Sequence, residues 1–565
     1  MIVTRSWLQE WIDLADVETE KIVRTLNGIG LEVAGVQKLS LPSDVVVAKV
    51  LSCQKHPDAD KLHVCEVDAG GERLQIVCGA KNAPYAKYVA LAKVGAKLPG
   101  GVEIKPARIR GVESEGMLCS ARELGLPQIE DGILLLDDSI GAMEPGKELR
   151  EYPAFQDEII EIELTANRGD CLSVLGIARE LSAALGKPLR TIDVEEDNSL
   201  QIGIGRLLNL NVASEIESNL LYKAFSARNF SNPFLIRLRL ALIGERFDNR
   251  ADEFGYYITH STGVITRIYG YRFFEKEEPA IALKKDEKGF DAVYGKEKGS
   301  IVGVIQFKES KPKIEEERFV VEASYVDPET ISRRQFEAKL PSDWAYYRSS
   351  RGSEPRLDLA MRYLKFLLKK YYREFMLYAG THEVIKEIEK RAIKIDFDRL
   401  DALVGQKIER SEIVEILKSL EFEIVNVTED SIVVKTPIFR HDIKNLQDVA
   451  EEIVRMYGID RIDSKPLCFV EHDRTNEAMD LFYKKKLVRT LAVGNGYFES
   501  ISFVFTRKKR LEEFGYEVVR EDLDLINPIT NELDTLRTSL VPNLLHQVAE
   551  NVKTGKKRIK LFEVG

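Results

Sequence analysis

An internal repeat constrains the fold of this 565-residue chain more than any other feature. Residues 17–36 and 408–427 match at a constant offset of 391, with apolar and acidic residues in the same places. A second pair of segments, 168–180 and 440–452, follows in the same order at an offset of 272. The first segment of each pair predicts a short amphipathic helix that leads into an alternating strand. The chain therefore contains a two-part unit that is used twice.

The two copies of the repeat differ in what separates their halves. The second copy has a short link from Val427 to Arg440, whereas the first is interrupted by a much longer segment. That segment, 43–148, consists of short apolar stretches broken by glycines, which is typical of a small closed β-barrel. We therefore predict a barrel inserted into the first repeat domain, whose own parts are 1–42 and 149–199.

The barrel segment is locally basic, although the whole chain has a net charge of −10. Between Ser43 and Arg110 there are 11 Lys and Arg residues against 7 Asp and Glu residues. One interpretation is a surface that follows a nucleic-acid backbone, and the other is an ordinary solvated strand face. We interpret His56 and His63 as surface or loop histidines. The candidate cations for nucleic-acid binding are Lys55, Lys61, Lys81, Arg108 and Arg110.

The second repeat copy contains a dense group of carboxylates between Pro437 and Tyr457. Oxygen donors at this spacing suit Mg²⁺, whereas Zn²⁺ normally requires Cys or His. The alternative is an acidic first helical turn that faces solvent and complements the helix dipole. The first copy has Gly176 and Arg179 at two matching positions, so only the second copy is expected to form a metal site. Its candidate ligands are Asp442, Asp448, Glu451 and Glu452.

The cysteines indicate neither a zinc site nor a disulfide framework, because none has CxxC spacing. No apolar run approaches the length needed to cross a membrane, and the first residues lack the apolar core of a signal peptide. We therefore expect a protein of the reducing cytoplasm. The six cysteines are Cys53, Cys65, Cys78, Cys119, Cys171 and Cys468.

The remaining regions complete an α+β multidomain prediction. Residues 200–390 form a mixed α/β region whose apolar helix, Pro355 to Tyr372, is predicted to belong to a core. Residues 391–467 form the second repeat domain. Residues 468–565 contain a long helix with a glycine stop, a strand pair and a turn-rich segment.

Several motifs in these regions resemble one family. The barrel sequences HPDADKLHVCEVD, IVCGAKN and IRGVESEGMLCS resemble a tRNA-binding oligonucleotide/oligosaccharide (OB) fold. A more restrictive succession along the chain is TANRGDCLSVLGIARELSA, then PIFRHDIKNLQDVAEEIVRMYGIDRI, then INPITNELDTLRTSLVPNLL. Over nearly its whole length, the chain resembles the β subunit of bacterial phenylalanyl-tRNA synthetase.

The resemblance implies roles for the predicted domains. It makes 43–148 a tRNA-binding OB-fold domain, 200–390 a B3/B4 editing-like domain and 391–467 a B5 domain that binds Mg²⁺ through the four acids. Residues 468–565 become part of a class II synthetase-like domain without catalytic motifs. The partner α subunit, in an α2β2 assembly, would bind ATP and phenylalanine and join phenylalanine to its tRNA. No residue of this chain is then expected to catalyse aminoacylation.

Two departures from the family pattern lead to further expectations. The C-terminal anticodon-binding domain of the family is not seen in these residues, so the chain is either a fragment or a shortened version, and its stop on the LFEVG strand favours a fragment. We expect that these 565 residues alone are not sufficient for charging when they are mixed with the α subunit. In the editing region, a Thr-Asn pair is replaced by Phe254 and Gly255, and paired glycines by Gln306 and Phe307. The family histidine falls near Arg267, with His260 close by in sequence. Glu322 is retained as a weak editing candidate, and we expect weak or absent editing.

Two other functional classes stay open at this stage. A free-standing tRNA-binding or structural protein built around the barrel would not copurify with an α subunit. An independent editing hydrolase is disfavoured by the altered pocket motifs.

Overall fold

The computed structural model describes residues 1–192, 202–213, 215–467 and 475–565. These residues form two compact units, Met1–Asp463 and Ser464–Gly565. Cys468, the region around His472, the predicted domain boundary at 199/200 and the predicted start of the last domain lie outside the described residues. No helix in the described part of the chain is long and apolar enough to cross a membrane.

The chain begins with the first half of repeat copy one. Thr4 caps the opening helix by accepting a hydrogen bond from the Trp7 amide at 3.3 Å. Ile22 and Leu26 lie four residues apart on the next helix, and both are buried in the core of the unit. The elements are β1 (Ile2–Thr4), α1 (Arg5–Leu8), α2 (Thr19–Gly28) and β2 (Glu32–Lys38).

The inserted segment forms a nearly closed barrel sheet, as predicted. Its strand order is β11-β6-β3-β4-β5, and β12 pairs with β6. The amide of Glu115 donates to the Gln75 carbonyl at 2.9 Å, which joins the two ends of the sheet. Gly116 (φ +152°) permits this closure, because a Cβ there would lie 2.9 Å from the Ala92 carbonyl oxygen. The strands are β3 (Val45–His56), β4 (Ala59–Asp68), β5 (Arg73–Cys78), β6 (Tyr88–Lys93), β7 (Lys97–Leu98), β8 (Val102–Glu103), β9 (Ala107–Ile109), β10 (Val112–Ser114), β11 (Gly116–Leu118) and β12 (Leu135–Leu136).

After the barrel, the chain returns to complete repeat copy one with β13 (Glu158–Glu163) and α3 (Val174–Leu185). Strand β13 lies between β1 and β2 and is antiparallel to both. Ser173 caps α3 by accepting a hydrogen bond from the Gly176 amide at 3.0 Å. The strand-to-helix turn passes so close to this helix that a Cβ on Gly176 would overlap the Asp170 carbonyl oxygen.

The region after repeat copy one contains two five-stranded sheets. One has the order β14-β17-β18-β19-β20, and the other has the order β16-β21-β15-β22 with β23 added to β15. The apolar helix predicted from Pro355 to Tyr372 is confirmed as a core helix, α9, which packs against α5 and β21. The elements are β14 (Asn209–Val212), β15 (Asn219–Ala227), α4 (Phe234–Leu242), α5 (Arg250–Thr262), β16 (Ile265–Gly270), α6 (Tyr271–Phe274), β17 (Ala280–Lys285), β18 (Asp291–Tyr294), β19 (Lys298–Ile301), β20 (Ile305–Gln306), β21 (Arg318–Tyr325), α7 (Pro328–Ala338), α8 (Trp344–Ser349), α9 (Asp358–Tyr371), β22 (Phe375–Leu377) and β23 (His382–Val384).

Repeat copy two has the same architecture as copy one. Its sheet order, β24-β26-β25, corresponds to β1-β13-β2. Helix α11 starts and ends 391 residues after α2, and α12 starts and ends 272 residues after α3, so the repeat predicted from sequence is confirmed. The elements are β24 (Ala392–Asp396), α10 (Phe397–Val404), α11 (Arg410–Ser419), β25 (Glu423–Val427), β26 (Ser431–Lys435) and α12 (Leu446–Tyr457).

The second unit contains one long helix and short strand pairs. Helix α13 ends at Gly494, as the glycine stop predicted. Strands β27 and β30 are parallel, whereas β28 and β29 are antiparallel. The elements are α13 (Glu477–Gly494), β27 (Phe498–Glu499), β28 (Phe505–Thr506), α14 (Lys508–Glu513), β29 (Thr535–Leu536), α15 (Val541–Lys553) and β30 (Leu561–Phe562).

Each repeat copy contains a buried arginine held between two carboxylates. In copy one, Arg168 donates to Asp170 at 3.0 and 2.9 Å and to Glu180 at 2.6 Å. In copy two, the matching Arg440 donates to Asp442 at 2.9 and 3.0 Å and to Glu452 at 2.7 and 2.8 Å. These bonds tie the strand-to-helix segment to the helix that follows it.

Arg455 joins the two copies. It donates to Glu452 of its own copy at 2.9 Å and to Glu180 of the other copy at 2.5 and 3.2 Å. The position that matches Arg455 in copy one is Ala183, so this contact has no symmetric counterpart. The guanidinium group therefore bridges two helices that are 272 residues apart in sequence.

Substitution of Glu452 is expected to test this network. Burial would raise the pKa of the Glu452 carboxyl, but hydrogen bonds and charge from Arg440 and Arg455 outweigh burial and lower the pKa to about 2. The ionised form therefore stabilises the fold above the ordinary pKa of 4.5, and this stabilisation is lost as the pH falls toward about 2. We predict that Glu452→Gln lowers the free energy of unfolding at neutral pH by about 3 kcal/mol.

Urea denaturation of the full chain at several pH values measures this difference. Glu451→Gln is the matched control, because Glu451 is the adjacent carboxylate on α12 and is exposed. The difference in the free energy of unfolding between wild type and Glu452→Gln should become smaller in acid. The control variant should have the same free energy of unfolding as wild type at each pH. Equal stability of the two variants at neutral pH would contradict the role given to Glu452.

Candidate functional site

The five cations predicted to contact nucleic acid are all exposed on the barrel. Among the residues that the structure describes, none of the five forms a direct ion pair with a carboxylate. Lys55 lies at the end of β3 and Lys61 near the start of β4, on one antiparallel hairpin. Arg108 and Arg110 belong to the β9–β10 hairpin. Lys81 precedes a short 3₁₀ turn that packs against β3 and β4.

His56 links the two hairpins that carry these cations. Its Nε2 lies 3.2 Å from the Ile109 carbonyl oxygen, and its Nδ1 accepts a hydrogen bond from the Asp58 amide at 3.0 Å. Nε2 is therefore the protonated nitrogen and donates to Ile109. His56 is buried and not on the surface, which corrects part of the sequence interpretation. Its role in holding both hairpins at one end of the barrel was not visible in the sequence.

A disulfide joins Cys53 to Cys65, although the cysteine spacing in the sequence indicates no disulfide framework. The two residues are direct partners in the antiparallel register of β3 and β4, with Cα atoms 4.0 Å apart. Cysteine spacing in the sequence did not reveal them, because strand register decides which side chains are opposite one another. Cys78, Cys119 and Cys171 are free and buried.

The four acids predicted to bind Mg²⁺ do not converge on one point. Asp442 and Glu452 have every carboxylate oxygen within hydrogen-bond distance of a guanidinium nitrogen. Asp448 uses its Oδ2 to accept hydrogen bonds from the amides of Lys444 and Asn445 at 2.7 and 3.1 Å. Asn445 and Asp448 thus form a capping box at the start of α12. For Asp448, the structure therefore agrees with the alternative interpretation, an acidic residue in the first helical turn.

A four-carboxylate magnesium shell therefore does not fit this arrangement. Glu451 has no partner within the described part of the chain, and Asp448 keeps its Oδ1 free. Mg²⁺ often keeps most of its water and uses only one or two carboxylates. Asp448 and Glu451 fit that smaller role, whereas Asp442 and Glu452 are committed to arginine.

Three side chains of metal-ligating type also converge in repeat copy one, where no metal site is expected. Donor atoms of Asp170, Cys171 and Glu180 lie within 4.8 Å of one another. Arg168 already contacts all three, at 2.9 Å to Asp170 Oδ2, 3.0 Å to Cys171 Sγ and 2.6 Å to Glu180. Burial would raise the pKa of Asp170, but the charges of Arg168 and Arg440 hold it well below its usual range. The cation in this cluster is therefore arginine.

Glu322, the editing candidate, is completely buried on β21. Its Oε2 accepts hydrogen bonds from the hydroxyl groups of Tyr222 at 3.0 Å and Tyr269 at 2.9 Å. Burial raises the pKa of the Glu322 carboxyl. Two tyrosines therefore occupy the space in front of the group that would have to act on an ester.

Two of the altered editing positions, Arg267 and Gln306, form hydrogen bonds within the chain. Arg267, opposite Glu322 across β16 and β21, donates to Asp343 at 2.8 and 2.9 Å. Gln306 donates through its backbone amide to Asp343 at 2.9 Å and through its side chain to the Ile268 carbonyl at 3.0 Å. A groove of about 970 Å³ passes Gln306, but Glu322 is not among its lining residues.

Phe254, Gly255 and His260 have structural positions on α5. Phe254 is a core residue, and a Cβ on Gly255 would lie 3.0 Å from the Thr266 carbonyl oxygen. His260 accepts a hydrogen bond from Arg348 at Nδ1 and donates from Nε2 to the Ile2 carbonyl at 2.9 Å. Burial and the charge of Arg348 lower the pKa of His260 well below its usual value, so it stays neutral.

Three family models match separate parts of the chain. The model described as a putative tRNA binding domain matches residues 45–147. The tRNA synthetase B5 domain model matches 393–459, and the phenylalanyl tRNA synthetase beta chain CLM domain model matches 474–565. The first match covers the barrel, and the second covers repeat copy two.

Relatives match along the whole chain. A phenylalanine–tRNA ligase beta subunit from Sulfurimonas denitrificans is 44% identical over 569 residues, covering all of this chain and 73% of the relative. The corresponding subunit from Wolinella succinogenes is 43% identical, with the same coverage. The subunit from Campylobacter jejuni is 42% identical, again covering all of this chain and 73% of the relative. The resemblance noted in the sequence is confirmed, and the chain belongs to the phenylalanine–tRNA ligase beta subunit family.

Proposed function

We propose that this chain binds tRNA and an α subunit, and supports ATP-dependent attachment of phenylalanine to tRNA by that α subunit. The relatives are named as beta subunits of the ligase, so the chain is one subunit of such an enzyme. ATP and phenylalanine would bind to the α subunit of a cytoplasmic α2β2 assembly. The observation that carries the proposal is the order of tRNA-binding, B5 and CLM domains along one chain.

The unpaired cations of the barrel support the tRNA-binding part. Phosphate groups are attracted to Lys and Arg side chains whose charge is not neutralised by neighbouring carboxylates. Lys55 and Lys61 meet this condition on one hairpin, and the His56 bond to Ile109 places Arg108 and Arg110 beside them. A solvated strand face without a partner would not need four such cations at one end of the barrel.

We predict that the double variant Lys55→Glu/Lys61→Glu binds tRNA at least about 10-fold more weakly than wild type. The slope of the logarithm of the binding constant against the logarithm of salt concentration should also become smaller in magnitude, by about one unit for each lost phosphate contact. Filter binding or fluorescence anisotropy with tRNA at several salt concentrations measures both quantities. Copurification with the α subunit should be unchanged, because the hairpin cations are assigned to tRNA.

Lys288→Glu is the control for a general change in charge, since Lys288 is exposed but lies in the β17–β18 turn outside the barrel. Equal loss of affinity in the control would contradict a local interface on the barrel. Failure of the wild-type chain to copurify with an α subunit would instead favour the free-standing tRNA-binding protein.

We also propose that the editing-like domain of this chain has weak or no hydrolytic activity. The support is the enclosure of Glu322 by Tyr222 and Tyr269, and the internal pairing of Arg267 and Gln306. An ester bond must reach an oriented water molecule before it can be hydrolysed, whereas the buried Glu322 carboxyl already accepts hydrogen bonds from Tyr222 and Tyr269 at Oε2.

Deacylation of tyrosylated tRNA by the complex with the α subunit is expected to be no faster than spontaneous hydrolysis. Glu322→Gln should leave this rate unchanged, because the carboxyl group has no catalytic part to lose. Release of tyrosine over time measures the rate. Rapid deacylation by wild type that is abolished in Glu322→Gln would show an active editing site.

Magnesium binding stays a prediction for this chain, and we assign it to Asp448 and Glu451. The carboxylate oxygens of these two residues that lack hydrogen-bond partners among the described residues support the assignment. Asp442 and Glu452 are assigned a structural role instead, because Arg440 contacts all of their carboxylate oxygens.

Calorimetric titration of the chain with Mg²⁺ is expected to show one weak site. The double variant Asp448→Asn/Glu451→Gln should lose the site, whereas Glu329→Gln, an exposed carboxylate on α7, should keep it. A site that survives in the double variant, or an absence of binding heat in wild type, would overturn this assignment.

A further inference from the structure

The most exposed aromatic side chain of the barrel belongs to Tyr85, whose exposed fraction is 87%. It is the last residue of the 3₁₀ turn Ala83–Tyr85 between β5 and β6. Among the residues that the structure describes, its hydroxyl group has no hydrogen-bond partner and its ring stacks on no other ring. The side chain therefore contributes little to the folded barrel itself.

The backbone that carries Tyr85 is held firmly on both sides. Before it, the Asn82 side chain donates to the Ile133 carbonyl at 2.8 Å and accepts from the Ile133 amide at 3.1 Å. Ala83 is completely buried, and Pro84 restricts its own backbone torsion. After it, the Lys87 carbonyl accepts a hydrogen bond from the Val50 amide at 3.0 Å. The ring is thus presented to solvent by an ordered turn.

Three lysines lie close to Tyr85 in the sequence or in the strand register. Lys81 and Lys87 lie four residues before and two residues after Tyr85, and both are exposed. Lys49, on β3, is the register partner of Tyr88. Within the described ranges, none of these three lysines forms an ion pair. The turn packs against β3 and β4, the hairpin that carries Lys55 and Lys61.

We propose that Tyr85 is a stacking platform for an unpaired base of the bound tRNA, with Lys81 and Lys87 contacting the phosphates on either side. An exposed aromatic ring between unpaired cations is the arrangement by which OB-fold proteins bind single-stranded nucleic acid. The ordered turn reduces the conformational entropy lost on stacking, because the backbone is already fixed. This inference rests on the proposed tRNA-binding function and identifies the part of the tRNA that the turn recognises.

The test compares Tyr85→Ala, Tyr85→Phe and Lys81→Ala/Lys87→Ala in the full chain. Tyr85→Ala should bind tRNA and an oligouridylate of about 12 nucleotides roughly 5- to 150-fold more weakly. The slope of affinity against salt should not change, because a stacked ring releases no counterions. Tyr85→Phe should bind like wild type, and a blunt RNA duplex should bind equally to wild type and Tyr85→Ala. Thermal unfolding should be the same for all tyrosine variants.

The lysine variant separates failure of this inference from failure of the proposed function. If it weakens binding and lowers the salt slope while Tyr85→Ala binds like wild type, the stacking role is wrong and the barrel interface stands. If neither variant changes tRNA affinity, nucleic-acid recognition by this turn is wrong. If Tyr85→Phe is as weak as Tyr85→Ala, the hydroxyl group and not the ring makes the contact.

Discussion

A guanidinium group held between two buried carboxylates fixes the geometry of each repeat copy. Arg168 and Arg440 each receive one carboxylate from the segment before the helix and another from within the helix. Burying these ions without their partners would cost several kcal/mol, so each arginine ties its helix to the preceding turn. Arg455 forms ion pairs with Glu180 of copy one and Glu452 of copy two, and so links the two repeat domains to each other.

The central strand of repeat copy one explains how that copy can accept a large insertion. The sheet of copy one closes through β13, which returns from the barrel and pairs with both β1 and β2. The central strand is thus fixed by hydrogen bonds on both edges, and the length of chain between the halves is free to vary. The copies differ where their surroundings differ: Gly176 is required by the close Asp170 carbonyl, whereas the matching Asp448 caps an exposed helix end.

In the middle region, one carboxylate, Asp343, contacts two of the altered editing positions. It accepts hydrogen bonds from both terminal nitrogens of Arg267 and from the Gln306 amide. The substitutions that replace a histidine and a glycine in the family pattern are therefore coupled through a common partner. The sequence revealed that these positions had changed. It did not reveal Asp343, Tyr222 or Tyr269, since these side chains come from other strands or from a helix end and share no motif with Glu322.

The sequence by itself determined the repeat, the inserted barrel, the core helix between Pro355 and Tyr372, and the family. These features are encoded by local periodicity, glycine positions and motif order, which can be seen without knowing any contact. The tertiary structure decided which charges are free. The sequence predicts Asp442 and Glu452 as metal ligands, but in the folded chain both form ion pairs with Arg440. Lys55 and Lys61, in contrast, form no ion pair with the described residues. It also decided that Cys53 faces Cys65 and that Tyr85 faces solvent. Such outcomes depend on strand register and on contacts between residues up to hundreds of positions apart, which local pattern does not specify.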